Sequence, residues 1–461
     1  MAILYFSSRE CWPLNTGARL RDYHFARELA RRTPVTYLGL RNPGDPTAVE
    51  PPSEAGFERY ELVDKDAAFT PMNLLRGVAG PVPVTVLNCW SGRIKAELER
   101  TLSGARACQS VQVEGMHLVQ YLSVLRASPH RPALVADWHN IESEIMWRYS
   151  STTPGMARKL YARRTAHLIE NMELRLLRGC DVHVVPSPRE RDKLLARLPS
   201  ARIEVVGNGV DVAHHSDDRL AEACVRAGKP EVPERNEVLF VGSMDYHANS
   251  DAVVEFAHKT WPAIVAQHPD WRFVVVGRNP PAEVRALTDL RNVTVTGTVD
   301  DVRPWYRSAF VVVVPLRTGS GTRLKILEAM AAGVPVVSTG LGAEGLEVTD
   351  GRDIILAETP EETVEAVQSL FRSPELWRRL AEAGRGGVWF PGSTTGRHWV
   401  RGSTKFTKRR FAGPESEASA GCVFIGRLRN DGSGEESDSI LPGSHVHGNL
   451  NCYDLPRTGH R

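Results

Sequence analysis

The chain is 461 residues long, which exceeds what one compact core supports and predicts two or three domains. Hydrophobic residues make up 42%, charged residues 24%, and mean hydropathy is −0.28, so a membrane-embedded, fibrous or wholly disordered chain is excluded. Lys and Arg number 57 against 55 Asp and Glu, a net charge of +2, which argues against a dedicated nucleic-acid binder and requires that any anionic ligand be met by local charge.

From the N-terminus, Ala2–Phe6 and Val35–Leu40 read as β-strands around a helix over Arg19–Arg31, where Leu20, Tyr23, Phe25, Ala26, Leu29 and Ala30 recur at helical spacing. The opening residues carry one short apolar run without a basic leader or small-residue cleavage site, so no signal peptide is expected. No stretch reaches the ~18–20 apolar residues of a membrane span. Ser110–Val113 and Ala133–Ala136 read as buried strands, Met156–Leu177 as a long basic helix, and Val182–Pro186 as a strand leading into a helix capped by Ser187. Ile203–Val206 follows, then the turn Gly207–Asp211. Residues 212–236 are polar, contain two prolines and form the expected linker. The rhythm restarts with Val238–Val241, Phe273–Val276, Val293–Thr296, Phe310–Val314 and Val334–Ser338. Strands alternating with helix-length segments predict two tandem α/β domains with parallel sheets, and a ligand in the cleft between them.

The segment Val311–Gly333 carries the chemistry. An apolar strand meets Pro315, a glycine-rich turn runs through Thr318, Gly319, Ser320, Gly321 and Thr322, and a helix is expected over Arg323–Ala332, ended by Gly333. Free backbone amides at such a helix start suit phosphate oxygens, with Arg323 and Lys325 adding charge. The spacing is not that of a Walker A loop, and on the residues alone an ordinary strand–turn–helix with a basic first turn fits equally well. The seven cysteines, Cys11, Cys89, Cys108, Cys180, Cys224, Cys422 and Cys452, form no metal-binding spacing and suit a reducing cytoplasm; no metal or other cofactor is expected.

Leu327-Glu328-Ala329-Met330-Ala331-Ala332-Gly333-Val334-Pro335-Val336-Val337 resembles the signature of the retaining glycosyltransferases of family 4, which have the two-domain GT-B fold, two Rossmann-like domains with parallel sheets facing across a cleft. Pro13–Gly17, Asp137–Asn140, Val206–Asp211 and Phe240–Ser243 fall where that family places its other segments, and the subgroup it most resembles is the sugar transferases of exopolysaccharide loci. The resemblance implies residues 1–211 as the acceptor-side domain and 237–385 as the nucleotide-sugar-binding domain. It implies that Glu328 accepts hydrogen bonds from the donor ribose, that Gly17 admits the donor diphosphate, that His139 reaches the transferred sugar, and that Val299 lies against the base. Gly242, Ser243, Gly319, Ser320, Gly321 and Thr322 are implied in donor binding. On the residues alone, Glu328 is also readable as a solvated helix residue, Gly17 as a plain turn glycine and His139 as a structural histidine.

Two departures stand out. Ser320 occupies the place, eight residues before Glu328, where the family commonly has a first glutamate. After the first strand of the second domain, Ser243, Met244, His247 and Asn249 stand where many members carry an arginine and a lysine. Arg323 and Lys325 are then expected to neutralise the leaving diphosphate in their stead. No carboxylate is placed as a covalent nucleophile, which agrees with front-face substitution; Asp137 and Glu142 lie near His139 but read as cap or surface residues. The implied partners are a nucleotide-sugar donor and a glycan or lipid-linked acceptor, with peripheral membrane contact through the basic segment 156–168 at the cytoplasmic face; the bland reading of that segment is a solvated helix face. A nucleotide-sugar epimerase of GT-B type and a catalytically impaired GT-B scaffold are the alternatives. Residues 386–461 hold 13 of the 38 glycines and eight serines, and read as a disordered or frameshifted tail after a helix over Pro374–Arg385.

Overall fold

The computed structural model describes residues 2–388 apart from 15, 43–48, 67–69, 105–107, 211–214, 216–234 and 320, together with 405–410 and 422–427. Strands β1 (Ala2–Ser7), β2 (Val35–Arg41), β3 (Arg59–Asp64), β4 (Cys108–Glu114), β5 (Ala133–Asp137), β6 (Val182–Val185) and β7 (Ile203–Val205) form one parallel sheet in the order β3-β2-β1-β4-β5-β6-β7. Strands β8 (Glu237–Val241), β9 (Arg272–Val276), β10 (Val293–Gly297), β11 (Ala309–Val314), β12 (Val336–Ser338) and β13 (Ile355–Leu356) form the second, also parallel, in the order β10-β9-β8-β11-β12-β13.

Parallel strands need helical crossovers, so both faces of each sheet are covered, and strands such as β8 and β11 carry continuous apolar runs rather than an alternating pattern. Val311, Val312, Val313 and Val314 of β11 are all fully buried, as are Val238, Leu239 and Phe240 of β8. In the first sheet Leu4, Phe6, Val111, Val113, Leu134 and Ala136 pack into one core, while Ile3, Tyr5, Val35 and Tyr37 pack into another on the opposite face. Each sheet reverses its winding once, between β1 and β4 and between β8 and β11. Ligands bind outside the carboxyl ends of strands at such reversals.

Every strand expected from the sequence is present, with ends shifted by up to two residues. Within the two large sheets, two strands were not foreseen: β3, an edge strand whose charged residues leave it half-buried, and the two-residue β13. The helix expected over Arg19–Arg31 spans Gly17–Ala30, with Thr16 accepting from the Arg19 amide at 3.3 Å. Ser187 does occupy the N-cap position of the Pro188–Arg197 helix but does not bond a backbone amide; its hydroxyl donates to Glu190 instead. The terminal helix runs Pro374–Val388, past the expected end at Arg385. Within the tail expected to be disordered, β14 (Lys405–Arg410) and β15 (Cys422–Arg427) pair antiparallel, in keeping with the β propensity of Cys-Val-Phe-Ile; the rest of the tail lies outside the described residues. So does the linker, apart from His215, Arg235 and Asn236.

One buried ion pair joins three parts of the N-terminal domain. Arg21, 2% exposed, reaches from the Gly17–Ala30 helix to the fully buried Asp137 at the end of β5, with Nη2 2.6 Å from Oδ1 and Nε 3.0 Å from Oδ2. Its Nη1 donates to the Val206 carbonyl at 3.1 Å and to Asn208 Oδ1 at 2.8 Å, in the turn that follows β7. Removing one partner leaves a buried charge uncompensated. Arg21→Met is expected to cost about 3–5 kcal/mol in urea denaturation followed by tryptophan fluorescence. Adding Asp137→Leu to it should recover most of that loss.

Candidate functional site

The carboxyl ends of both sheets open on a shared cavity of about 1070 Å³. Thr16, Gly17, Asn140, Glu142 and Ile145 line it from the first domain, and Gly242, Ser243, Arg278, Val299, Thr322, Arg323, Lys325 and Glu328 from the second. The domains meet tightly here. A Cβ on Gly17 would stand 3.0 Å from Leu324 Cδ1, and one on Gly321 would stand 3.5 Å from Asn140 Cβ.

The loop after β11 forms a cationic cradle. Gly319 and Gly321 take φ of +106° and +82°, which side chains with a Cβ rarely adopt. The helix begins at Leu324, one residue later than expected, because Arg323 is extended and serves as its N-cap residue. Arg323 is buried, and its Nη1 donates to the Gly321 carbonyl at 2.5 Å. Burial pulls its pKa below the ordinary arginine value. Lys325 Nζ donates to Asn249 Oδ1 at 2.9 Å and sits 3.9 Å from the Phe240 ring centroid. Gly242 makes room for it, since a Cβ there would lie 2.8 Å from Nζ. Burial, with the Arg323 charge beside it, pulls Lys325 down to about 7. Arg278, in the turn after β9, adds a third cation, its Nε donating to Ser243 Oγ at 2.9 Å. Anions are drawn to such a cradle by these charges and by the dipole of the Leu324–Ala331 helix.

At the other end of the same helix face, Glu328 Oε2 accepts from the buried Tyr306 hydroxyl at 2.8 Å. Burial raises the Glu328 pKa, and the tyrosine hydrogen bond opposes that rise. Val299 lies in a lining segment, 298–303, closed by the Arg303–Asp301 ion pair at 2.7 Å.

On the first domain, the residues at the β1/β4 reversal converge on His139. Its Nε2 lies 3.2 Å from Asp22 Oδ1, 3.3 Å from Glu114 Oε2 and 3.3 Å from Arg9 Nη1. Ser7 Oγ donates to Asp22 Oδ2 at 2.8 Å. Asp22, Glu114 and His139 are close enough to approach one metal ion, but the Arg9 guanidinium against the same nitrogen repels a cation there.

Ion pairs tie the domains beside the cradle. Arg148 forks onto Glu344 at 2.9 and 2.8 Å and also donates to the Gly319 carbonyl, while Arg189 reaches Glu344 at 2.9 Å. Glu144 binds Arg189 and Lys193 in turn.

Of the residues singled out from the sequence, Gly17, Gly242, Ser243, Val299, Thr322, Arg323, Lys325 and Glu328 line the cavity together. Gly319 and Gly321 shape the loop behind it, and Ser320 lies outside the described residues. His139 sits behind the wall formed by Asn140, with its side chain 18% exposed. Arg278, Asp22, Glu114, Arg148 and Glu344 were not foreseen as site residues, for none belongs to a motif. Arg278 stands two residues after β9, and the positions after β strands at the cleft are the signal that would have flagged it.

Residues 21–214 match the family model described as Glycosyltransferase Family 4, and residues 235–373 match that of Glycosyl transferases group 1. A phosphatidyl-myo-inositol mannosyltransferase of Mycolicibacterium smegmatis is 35% identical over 158 residues, 33% of this chain and 38% of that protein. The chain spans less than half the length of the curated relatives it matches first. Among solved structures, sucrose-phosphate synthase from Thermosynechococcus elongatus superposes with a TM-score of 0.61 at 17% identity, covering 84% of this chain and 94% of that one. Anabaena HepE in complex with UDP and glucose gives 0.57 at 14% identity, with the same coverage. The fold is GT-B.

A lysine that titrates near 7 makes anion binding pH-dependent. A diphosphate favours the charged lysine, so affinity is highest below about 7 and falls as pH rises through that value. Calorimetry with UDP and GDP from pH ~6 to ~9 is expected to show this fall, with proton uptake from buffer on the alkaline side. Lys325→Met should bind more weakly and lose that part of the pH dependence.

Proposed function

The chain belongs to glycosyltransferase family 4, and we propose that it moves a sugar from a nucleotide-diphosphate donor to a glycan or lipid-linked acceptor, with retention of anomeric configuration, in the assembly of a cell-surface or exopolysaccharide. The observation that carries this reading is that Arg323, Lys325 and Arg278 line the same cavity as Glu328 and Val299. That combination of cations, carboxylate and apolar side chain suits the diphosphate, ribose and base of one nucleotide.

In this reading Glu328, held by Tyr306, accepts from the ribose hydroxyls, and the base lies along Val299. The bond from the anomeric carbon to the diphosphate oxygen breaks while the acceptor oxygen bonds the same carbon on the same face. The acceptor proton passes to the departing phosphate oxygen, so no protein carboxylate need act as nucleophile. Negative charge grows on the diphosphate as it leaves, and Lys325, Arg323 and Arg278 are fixed beforehand where it grows, which lowers the barrier most effectively. These cations supply the neutralisation that the reading assigns to no metal.

A lipid-linked acceptor is supported by a surface of the first domain. Met72, Leu74, Leu75 and Val78 on the Pro71–Ala79 helix are exposed, as are Met156, Leu160 and Tyr161 at the start of the Met156–Gly179 helix. Arg164 joins the two helices by donating to the Gly77 and Gly80 carbonyls. Arg158, Lys159 and Arg163 accompany this patch and residues 156–168 contain no acidic side chain, so the occupant that fits is an anionic bilayer at the cytoplasmic face. No helix among the described residues is long and apolar enough to cross a membrane.

Purified protein is expected to release nucleoside diphosphate from one of UDP-, GDP-, ADP- or dTDP-sugars when an acceptor is present. Arg323→Ala should lose on the order of 10²–10³ in kcat while circular dichroism and melting temperature stay at wild type. Full activity in that variant refutes the assignment of the cradle, and absence of turnover with every donor favours a binding scaffold. In sedimentation, the protein should follow anionic vesicles at low salt and stay in solution with neutral ones, and Leu75→Glu with Leu160→Glu should abolish the difference.

A further inference from the structure

We infer that Asp22 and Glu114 are positioning residues of the transfer site: together they hold His139 by Nε2, fix a hydrogen on that nitrogen, and leave Nδ1 as the ring atom available to a sugar. The inference rests on the proposed transferase reading for its use, though not for its geometry.

Asp22 and Glu114 come from different elements, the Gly17–Ala30 helix and the end of β4, and both side chains are fully buried. One imidazole nitrogen, Nε2, lies 3.2 Å from an oxygen of the first and 3.3 Å from an oxygen of the second. Arg9 Nη1, 3.3 Å from the same nitrogen, would favour a bare lone pair there, but that lone pair would be repelled by both carboxylates and Arg9 has Asp22 to pair with, so Nε2 carries a hydrogen. Asp22 is itself oriented by Ser7 Oγ. Both Glu114 oxygens and Asp22 Oδ1 are buried without a hydrogen bond of ordinary geometry, and His139 Nε2 is the positive group within reach of both carboxylates.

A strand-end carboxylate placed this way is a burden to the fold. Burial, with Asp137 and Asp22 close by, pushes Glu114 up to about 8. An apolar residue or a glutamine would fill the same space without that burden. What Glu114 does provide is an acceptor beside His139 that becomes negative above about 8: against the downward pull of burial, Asp22 and Glu114 together hold the imidazole up at about 9. The other groups facing the cluster do not replace it. Arg9 opposes the imidazolium, Arg21 is committed to Asp137, burial raises Glu142 towards its neutral form, and burial keeps His117 neutral with a value near 4. A charged, oriented imidazole beside the cleft is a hydrogen-bond donor at neutral pH, the state suited to a sugar oxygen that gains negative character as the glycosidic bond breaks.

The test is Glu114→Gln in the full chain, read three ways. Histidine-selective NMR titration, with the His139 signal assigned by its loss in His139→Gln, is expected to show the His139 midpoint falling by about one unit or more. The ratio of kcat at about pH 9 to kcat at about pH 6.5 should fall about tenfold below the wild-type ratio, one unit being tenfold, with donor KM little changed. Melting temperature should equal or exceed wild type, since a carboxylate whose folded value lies above its unfolded one costs stability at every pH above the unfolded value. A His139 midpoint that stays put, or a variant that merely melts lower with an unaltered pH profile, overturns the inference and makes Glu114 structural. Asp22→Asn should move the midpoint in the same direction. If the midpoint falls but wild-type protein turns over no nucleotide sugar, the transferase reading fails while the clamp on His139 stands.

Discussion

The first domain depends on a single guanidinium. Arg21 satisfies four acceptors from buried positions, and in doing so fixes the helix that carries Gly17, the strand end that carries Trp138, His139 and Asn140, and the turn that leads out of the domain. An arginine is needed because its planar fork can meet a carboxylate with two nitrogens and still present a third to the turn. Without it, Asp137 would be a buried charge at the centre of a parallel sheet, and the wall of the cleft would have no fixed orientation.

A chain with almost no net charge can offer a site to a doubly charged group only by concentrating cations, and the cleft does concentrate them. Arg323 and Lys325 are brought in on one loop and Arg278 on another, and glycines at 242, 319 and 321 clear the space around them. Burial, with Arg323 alongside, depresses Lys325, so the cradle is poised rather than saturated with charge. Asp245 lies 3.5 Å from Arg278, and further carboxylates tie the domain boundary. Glu344 takes Arg148 and Arg189 across the domain boundary, which holds the Gly319 loop against the first domain and keeps a carboxylate away from the site for the anion.

Much of the fold was legible because parallel sheets covered on both faces demand continuous apolar runs, and β1, β8 and β11 display them. Where that demand lapses, the sequence is mute. β3 is an edge strand carrying Arg59, Glu61 and Asp64, and β13 is two residues long, so neither has a pattern to read. In the site, Glu328, Lys325 and the glycine loop were legible since they lie within one contiguous run. Asp22, Glu114 and Arg278 were not, because each is a single polar residue whose partner is 25 or more positions away. The tail misled for the opposite reason: its glycine-rich composition hid two short β-prone runs that pair with each other.

The sequence by itself determined the two α/β domains, the glycine-rich basic loop and the resemblance to glycosyltransferase family 4, since all three are written in local runs governed by propensity, periodicity and glycine placement. Only the tertiary structure decided which charges face one another: that Arg21 serves Asp137, that Asn249 holds Lys325, that Arg148 crosses to Glu344 and that two carboxylates close on His139. The reason is physical. Hydrophobic burial is non-directional and follows the pattern along the chain, whereas the energy of a buried charge depends on the position of a partner that the chain brings near only after both sheets have formed.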